Sequence, residues 1–195
     1  MDDLKNKKRN RYLLASLSII LLIIFTYFLI FYLKPQNIIN YFGSRNSYLL
    51  IFITAVFGGF TTFNIIPYHP LLVTLTLGGL NPFLLGILAA SGVSIGDTTS
   101  YLLGYTGRTI MPQRTESWFE KINQTSENNP KLFLLLCFIY SCVVPLSNDL
   151  ITIPAGLARI KFWKIMIPLF LGNIIFDVSL AMLTSHFSSY ILNFI

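Results

Sequence analysis

The sequence predicts an all-α integral membrane protein, an inverted repeat of two re-entrant helical hairpins packed with spanning helices. The chain is 54% hydrophobic and 11% charged, whereas soluble domains carry about 25% charged residues. Residues 46–106 contain Asp97 as their only Asp, Glu, Lys or Arg. Short apolar segments interrupted by Gly and Pro recur in both halves, which is typical of broken membrane helices.

The first predicted region, residues 1–47, is a basic N-terminus followed by a signal-anchor helix and a polar connector. Five Lys and Arg residues precede the uncharged segment 12–33. The apolar region of a cleaved signal peptide is about 7–15 residues long, so this longer segment predicts a retained anchor that ends at Lys34-Pro35.

The second predicted region, residues 48–195, is the membrane domain. Pro70 and Gly79 interrupt its first apolar piece, and Pro145, Pro154 and Gly156 interrupt its second. The sequence divides as follows: hairpin 48–80, span 81–107, interfacial helix and turn 108–131, hairpin 132–158, span 161–184 and tail 185–195.

Spacing between the halves supports an internal repeat. Gly92 precedes Asp97 by the same interval that separates Gly172 from Asp177. We also align Pro70 and Gly79 with Pro145 and Gly156, although their separations differ.

The basic residues predict the orientation of the chain. If both Pro-centred pieces are re-entrant, Lys34 and Arg45 lie outside and the other Lys and Arg residues among the 14 are cytoplasmic. We therefore expect a multi-pass protein of the plasma membrane with a cytoplasmic N-terminus, and a homo-oligomer is compatible with it. The basic residues lie at the ends of apolar segments and not on a surface rich in aromatic and basic residues, which argues against nucleic acid as the partner of this chain.

Isolated acids in apolar stretches are the candidate functional residues, because an ionisable group in a membrane segment is costly. Asp97 has Tyr101 at i+4, so we expect the tyrosine hydroxyl to face the carboxylate. Beside Asp97 runs a stripe of small residues, which we interpret mainly as a helix-packing surface. The stripe consists of Gly92, Gly96, Ser100 and Gly104.

Two further polar groups are candidates for the substrate pathway. Asp177 has Asn173 at i−4 and Thr184 at i+7, and this stripe could bind a proton or headgroup or form a structural hydrogen-bond network. Asn148 and Asp149 follow Pro145 at the expected tip of the second hairpin, where either a ligand site or a plain turn is possible.

Other motifs carry less weight. Cys137 and Cys142 are interpreted as packing residues, and with two histidines we expect no metal site and no cofactor. The segment 92–96 matches a G-x-S-x-G nucleophile pattern around Ser94, with His186 or His69 as the base of a hypothetical intramembrane hydrolase. Because the pattern lies in a predicted membrane helix, we expect a protein that is not an enzyme.

One string of residues resembles the DedA / VTT-domain membrane protein family. It reads Gly92, Gly96-Asp97, Tyr101, Gly104 and Gly107-Arg108, and Pro145, Pro154-Ala-Gly156 and Phe162 follow it. The resemblance covers roughly residues 58–184. It implies two opposed re-entrant hairpins and lipid handling, as flipping of polyprenyl-phosphate carriers or scrambling of phospholipid, with proton coupling in some members.

The chain departs from the family pattern at both hairpins. The acid that usually follows the first hairpin proline is absent from Pro70-Leu71-Leu72, and Asn64 is the nearest counterpart of an upstream glutamate. Cys142 and Asn148 stand where the second hairpin carries arginines. Arginine is the usual bidentate ligand of phosphate, and its loss argues against tight binding of a phosphate carrier. The sequence therefore favours a lipid scramblase that binds its substrate less tightly, or a divergent transporter that uses Asp149.

The sequence therefore predicts movement of a lipid or lipid-linked substrate past the hairpin tips, with Asp97 and Asp177 flanking the path. The alternatives are a proton-coupled transporter of a small solute, the hydrolase and a membrane scaffold.

Overall fold

The computed structural model describes residues 35–59, 68–108, 113–144 and 147–192, and within these ranges all regular structure is helical. The helices are α1 (Pro35–Phe42), α2 (Ser44–Gly59), α3 (Tyr68–Leu77), α4 (Pro82–Gly107), α5 (Gln113–Asn128), α6 (Pro130–Val143), α7 (Asp149–Leu157), α8 (Phe162–His186) and α9 (Ser188–Leu192). The predicted signal anchor and Pro145 lie outside the described residues.

Two of these helices, α4 and α8, are long and apolar enough to cross a membrane. With 26 residues, α4 extends about 39 Å, which exceeds the hydrocarbon thickness of about 30 Å. The predicted spans therefore coincide with observed helices. The expected connector before Ser47 instead contains the short helix α1, and a turn at Gly43 separates it from α2.

The helices α4 and α8 run antiparallel against each other. A Cβ atom on Gly86 would meet Val178, near the start of α4 and the later part of α8. Toward the other end of the pair, the Tyr101 and Phe162 rings lie 5.4 Å apart. The first residues of the two spans therefore lie at opposite ends of the pair.

Equivalent turns precede both spans. Gly78 N donates to Thr74 O, Gly79 N to Thr76 O and Leu80 N to Leu75 O. The same three bonds recur 80 positions later, from Ala158, Arg159 and Ile160 to Pro154, Gly156 and Ala155. The second residue of each turn is glycine in one case and arginine in the other, but both have positive φ, +90° at Gly79 and +54° at Arg159.

This repeat corrects two details of the sequence interpretation. Gly79 corresponds to Arg159, not to Gly156. Pro154 does not break the chain, because it lies inside α7 and its carbonyl accepts the Ala158 N–H. Pro154 cannot donate to Leu150, but α7 keeps its helical course as Ala155 and Gly156 bury against α4.

Glycines fix how closely the helices approach. A Cβ on Gly104 would meet the backbone of Ile153 in α7, and one on Gly156 would meet the backbone of Tyr101 in α4. A Cβ on Gly92 would meet α2 at Phe52, whereas one on Gly172 would meet α6 at Phe138. The small-residue stripe of α4 is therefore a packing surface, as predicted.

Candidate functional site

A polar cavity lies between the two halves of the membrane domain. Its walls come from α2, α3, α4, α6 and α8, together with the segment before α7. Its volume of about 40 Å³ gives room for about three water molecules. Its polar lining residues are Tyr68, His69, Asp97, Ser141, Ser147, Asn148 and Asn173.

Asp97 is the centre of a hydrogen-bonded cluster on one side of this cavity. Asn148 Nδ2 donates to Asp97 Oδ2 at 2.7 Å, and Asn173 Nδ2 reaches the same oxygen at 3.4 Å. Asn148 Nδ2 also contacts Asn173 Oδ1 at 3.1 Å, and the Ser141 hydroxyl donates to that oxygen at 2.5 Å. The cluster thus joins α4, α6, α8 and the start of α7 through buried side chains.

Asp177 has different partners, which come from the first half of the chain. The Tyr68 hydroxyl donates to Asp177 Oδ1 at 3.3 Å, and His69 Nε2 lies 3.7 Å from the same oxygen. The Tyr68 and His69 rings stack with centroids 4.0 Å apart. The start of α3 is therefore attached to the middle of α8.

The expected polar stripe on α8 is divided between separate environments. Asn173 joins the Asp97 cluster, whereas the Thr184 hydroxyl donates to Leu180 O within its own helix. Thr184 and Asp177 share a helix face by their spacing, but no hydrogen bond joins them in the described part of the chain.

Asp149 is buried beside this cluster. Its side chain is 2% exposed, and neither carboxylate oxygen has a hydrogen-bond partner within the described ranges. Asn148 lines the cavity and donates to Asp97, whereas Asp149 is not among the described residues that line it. A role for either residue in a substrate pathway stays a prediction.

The prediction for Tyr101 is wrong, because its hydroxyl donates to Ile160 O at 2.6 Å and does not face Asp97. Arg108 donates to Leu157 O at 3.1 Å and lies 3.9 Å from Glu120 in α5. Both residues therefore attach the end of α4 to the turn before α8, outside the cavity. Pro70 is buried within the first turn of α3, where its carbonyl accepts the Thr74 hydroxyl.

The sequence analysis missed Tyr68 as a partner of Asp177 and named His69 only as a possible base. The internal repeat could have identified both, because residues 68 and 69 are the equivalents of Asn148 and Asp149 at the spacing that relates Asp97 to Asp177.

The alternative sites lack the required local structure. Ser94 lies within the continuous helix α4 and donates to Ala90 O, whereas a nucleophile elbow requires a strand–turn–helix. Cys137 and Cys142 are both free. Within the described ranges, no cluster of three His, Cys, Asp or Glu side chains could hold a metal ion.

Comparison with known proteins places this arrangement in a family. No curated protein and no solved structure matches the chain. The family model described as the VTT domain matches residues 46–186, which include α3 to α8, all but the first two residues of α2, and both acid clusters. This family is membrane-associated, in agreement with the two apolar spans. The chain belongs to the VTT domain family.

Proposed function

We propose that this protein moves a lipid or lipid-linked substrate across the plasma membrane, as a flippase or scramblase. The observation that carries the proposal is the buried cluster in which Asp97 and Asn173 of the two apolar spans meet Asn148 at the start of α7. Polar groups in membrane segments are expensive and mark substrate or ion pathways. A lipid headgroup would exchange hydrogen bonds with this cluster as it passes.

We further propose that α2–α3 and α6–α7 are two inverted re-entrant hairpins. The equivalent turns at Gly79 and Arg159 support this topology, because they lie at opposite ends of the antiparallel α4–α8 pair. In this arrangement the N-terminus and the basic turn before α8 are cytoplasmic, and the two hairpins approach the midplane from opposite sides.

A groove on the outer surface provides a path for acyl chains. It lies between α4 and α8, has a volume of about 310 Å³ and is lined mainly by apolar groups, including Ile95, Trp163 and Ile167. The exposed Lys161 lies at the start of α8 beside Trp163, at the level expected for headgroups. A lipid could therefore keep its chains in the groove while its headgroup enters the cavity.

The charge of the cavity favours phospholipid over polyprenyl phosphate. Its described lining contains Asp97, His69 and neutral amides and hydroxyls, but no arginine or lysine. Both lipids contain phosphate, but the terminal phosphate monoester of polyprenyl phosphate carries more negative charge than the diester of a phospholipid. Arginine is the usual ligand of such a group, and this lining does not supply it.

A proton-coupled transporter of a small solute is the second candidate. It is favoured by the cavity size of about 40 Å³, which suits water or a small solute in this conformation better than a headgroup. His69 and Asp177, 3.7 Å apart, could exchange a proton along such a path.

Reconstitution into liposomes tests the proposed function. Dye-labelled phospholipid and dye-labelled polyprenyl phosphate are incorporated separately, and the outer-leaflet dye is quenched. We expect protein-dependent loss of the inner-leaflet phospholipid signal and a slower loss for polyprenyl phosphate. Intact protein that moves neither lipid would contradict the proposal, and solute-dependent proton flux in the same vesicles would support the second candidate.

A further inference from the structure

Asp149 and Thr152 form a second polar site that the Asp97 cluster does not use. Both Asp149 oxygens and Thr152 Oγ1 are buried without a hydrogen-bond partner in the described part of the chain. A buried ionised carboxylate costs several kcal/mol unless it is paired or coordinates a cation. These atoms therefore require a ligand or a proton.

The backbone N–H groups of residues 149–152 already have acceptors other than the carboxylate. Asp149 N donates to Ser147 Oγ at 3.2 Å, and Leu150 N donates to Ser147 O at 3.4 Å. The N–H groups of Ile151 and Thr152 both donate to Asn148 O at 2.8 Å. An acid at a helix N-terminus can accept bonds from these groups, but here they are already occupied.

Thr152 differs from the other threonines whose side chains are described. Each of them donates its hydroxyl to a carbonyl three or four residues earlier, which is the usual solution for threonine in an apolar helix. These are Thr54, Thr74, Thr76, Thr98, Thr99, Thr106, Thr125 and Thr184. Thr152 is fully buried and makes no such bond, so its oxygen is available beside Asp149 at i+3.

The electrostatic surroundings of this pair are acidic. Asp149 directly follows Asn148, whose side chain donates to Asp97 Oδ2, and the Asp97 and Asp149 carboxylates are close enough to repel each other when both are ionised. No salt bridge within the described ranges reaches either acid. The equivalent of Asp149 in the first half is His69, whose Nε2 lies 3.7 Å from Asp177 Oδ1.

We propose that a monovalent alkali cation binds to the Asp149 carboxylate and the Thr152 hydroxyl, next to Asp97. All these ligands are hard oxygens, as alkali and alkaline-earth ions require. Magnesium retains several waters and calcium takes six to eight oxygens, whereas a monovalent ion loses its hydration shell at a much smaller cost when it enters a buried site. The burial of these oxygens therefore favours a monovalent ion. The cation offsets the repulsion between Asp97 and Asp149 and fixes the start of α7 on α4. The proposal does not depend on lipid transport.

Thermal unfolding of the full chain in detergent tests this site without any transport assay. The midpoint is measured in sodium, potassium and choline chloride at equal ionic strength, and with added magnesium chloride. We expect sodium or potassium to raise the midpoint of wild type by about 3–5 °C over choline. Asp149→Asn should abolish this difference, and Thr152→Val should reduce it.

The matched control is Glu127→Gln, which makes the same carboxylate-to-amide change on the exposed side of α5 and should keep the full cation response. A wild-type midpoint that is the same in all three monovalent salts overturns the proposal. So does a response to magnesium alone, or a sodium or potassium response that persists in folded Asp149→Asn. Because Asp149→Asn removes a buried charge, we expect it to fold.

Discussion

Asn148 Nδ2 donates to Asp97 Oδ2 at 2.7 Å, and the Tyr68 hydroxyl donates to Asp177 in the same way. The two donors, Tyr68 and Asn148, are 80 positions apart, and so are the two acids. In both, the residue at the start of a short helix binds the acid of the spanning helix from the other half of the chain. The two contacts hold the short helices α3 and α7 against the spans. Their different chemistry, an amide on one side and a phenol on the other, makes the two halves of the site unequal.

This relationship predicts the topology of the two turns. Single cysteines at the exposed, equivalent positions Asn81 and Lys161 should react with a membrane-impermeant maleimide from opposite sides, because the turns lie at opposite ends of α4. Labelling in intact cells and in inverted vesicles, with Cys137 and Cys142 replaced by alanine, measures this. Reaction of both cysteines from the same side would contradict the inverted arrangement.

Because Gly104 contacts a neighbouring helix closely and Gly107 does not, alanine at the two positions should change the unfolding midpoint by different amounts. Gly104→Ala should lower the unfolding midpoint by about 5–10 °C, since its Cβ would overlap the backbone of Ile153 and force α4 and α7 apart. Gly107→Ala, three residues later, is the control, because its Cβ would meet only Leu157 Cδ2 at 3.9 Å. Equal midpoints for the two variants would refute this packing.

The hydroxyl of Tyr101 is predicted to stabilise the turn before α8. Tyr101→Phe removes its bond to Ile160 O, which costs about 1–2 kcal/mol and lowers the midpoint by about 3–6 °C. Because the hydroxyl does not contact Asp97, the initial rate of lipid movement should remain within about twofold of wild type. Tyr190→Phe, at a side chain that is 67% exposed, is the control for the stability effect. A large loss of transport with unchanged stability would place Tyr101 in the substrate path instead.

The sequence singled out polar residues that the structure brings together, although it did not predict their pairing and their role in a substrate pathway stays a prediction. Asp97, Asn148 and Asn173 meet because buried polar side chains in apolar helices must bind one another. Tyr101 was misplaced because i+4 spacing describes only its own helix, whereas the Ile160 carbonyl that it binds comes from a distant turn. The spacing of residues within one helix gives no information about long-range packing of this kind.

The spans were equally predictable, but the breaks between short helices were not. Gly79 ends its helix with positive φ, as expected, whereas Arg159 adopts the same left-handed region without the usual glycine. Pro154 was taken as a break because proline lacks an N–H, yet one missing bond does not interrupt α7 when its neighbours pack against α4.

The most direct measurement of the central claim is the initial rate of phospholipid movement in proteoliposomes for Asp97→Asn and its matched control Glu127→Gln. Asp97→Asn should reduce the rate at least about tenfold, or about 1.4 kcal/mol in barrier height, because it alters the acceptor at the centre of the buried cluster. Glu127→Gln should match wild type, and both variants should reconstitute equally. An unchanged rate in well-folded Asp97→Asn would show that the lipid does not pass this carboxylate.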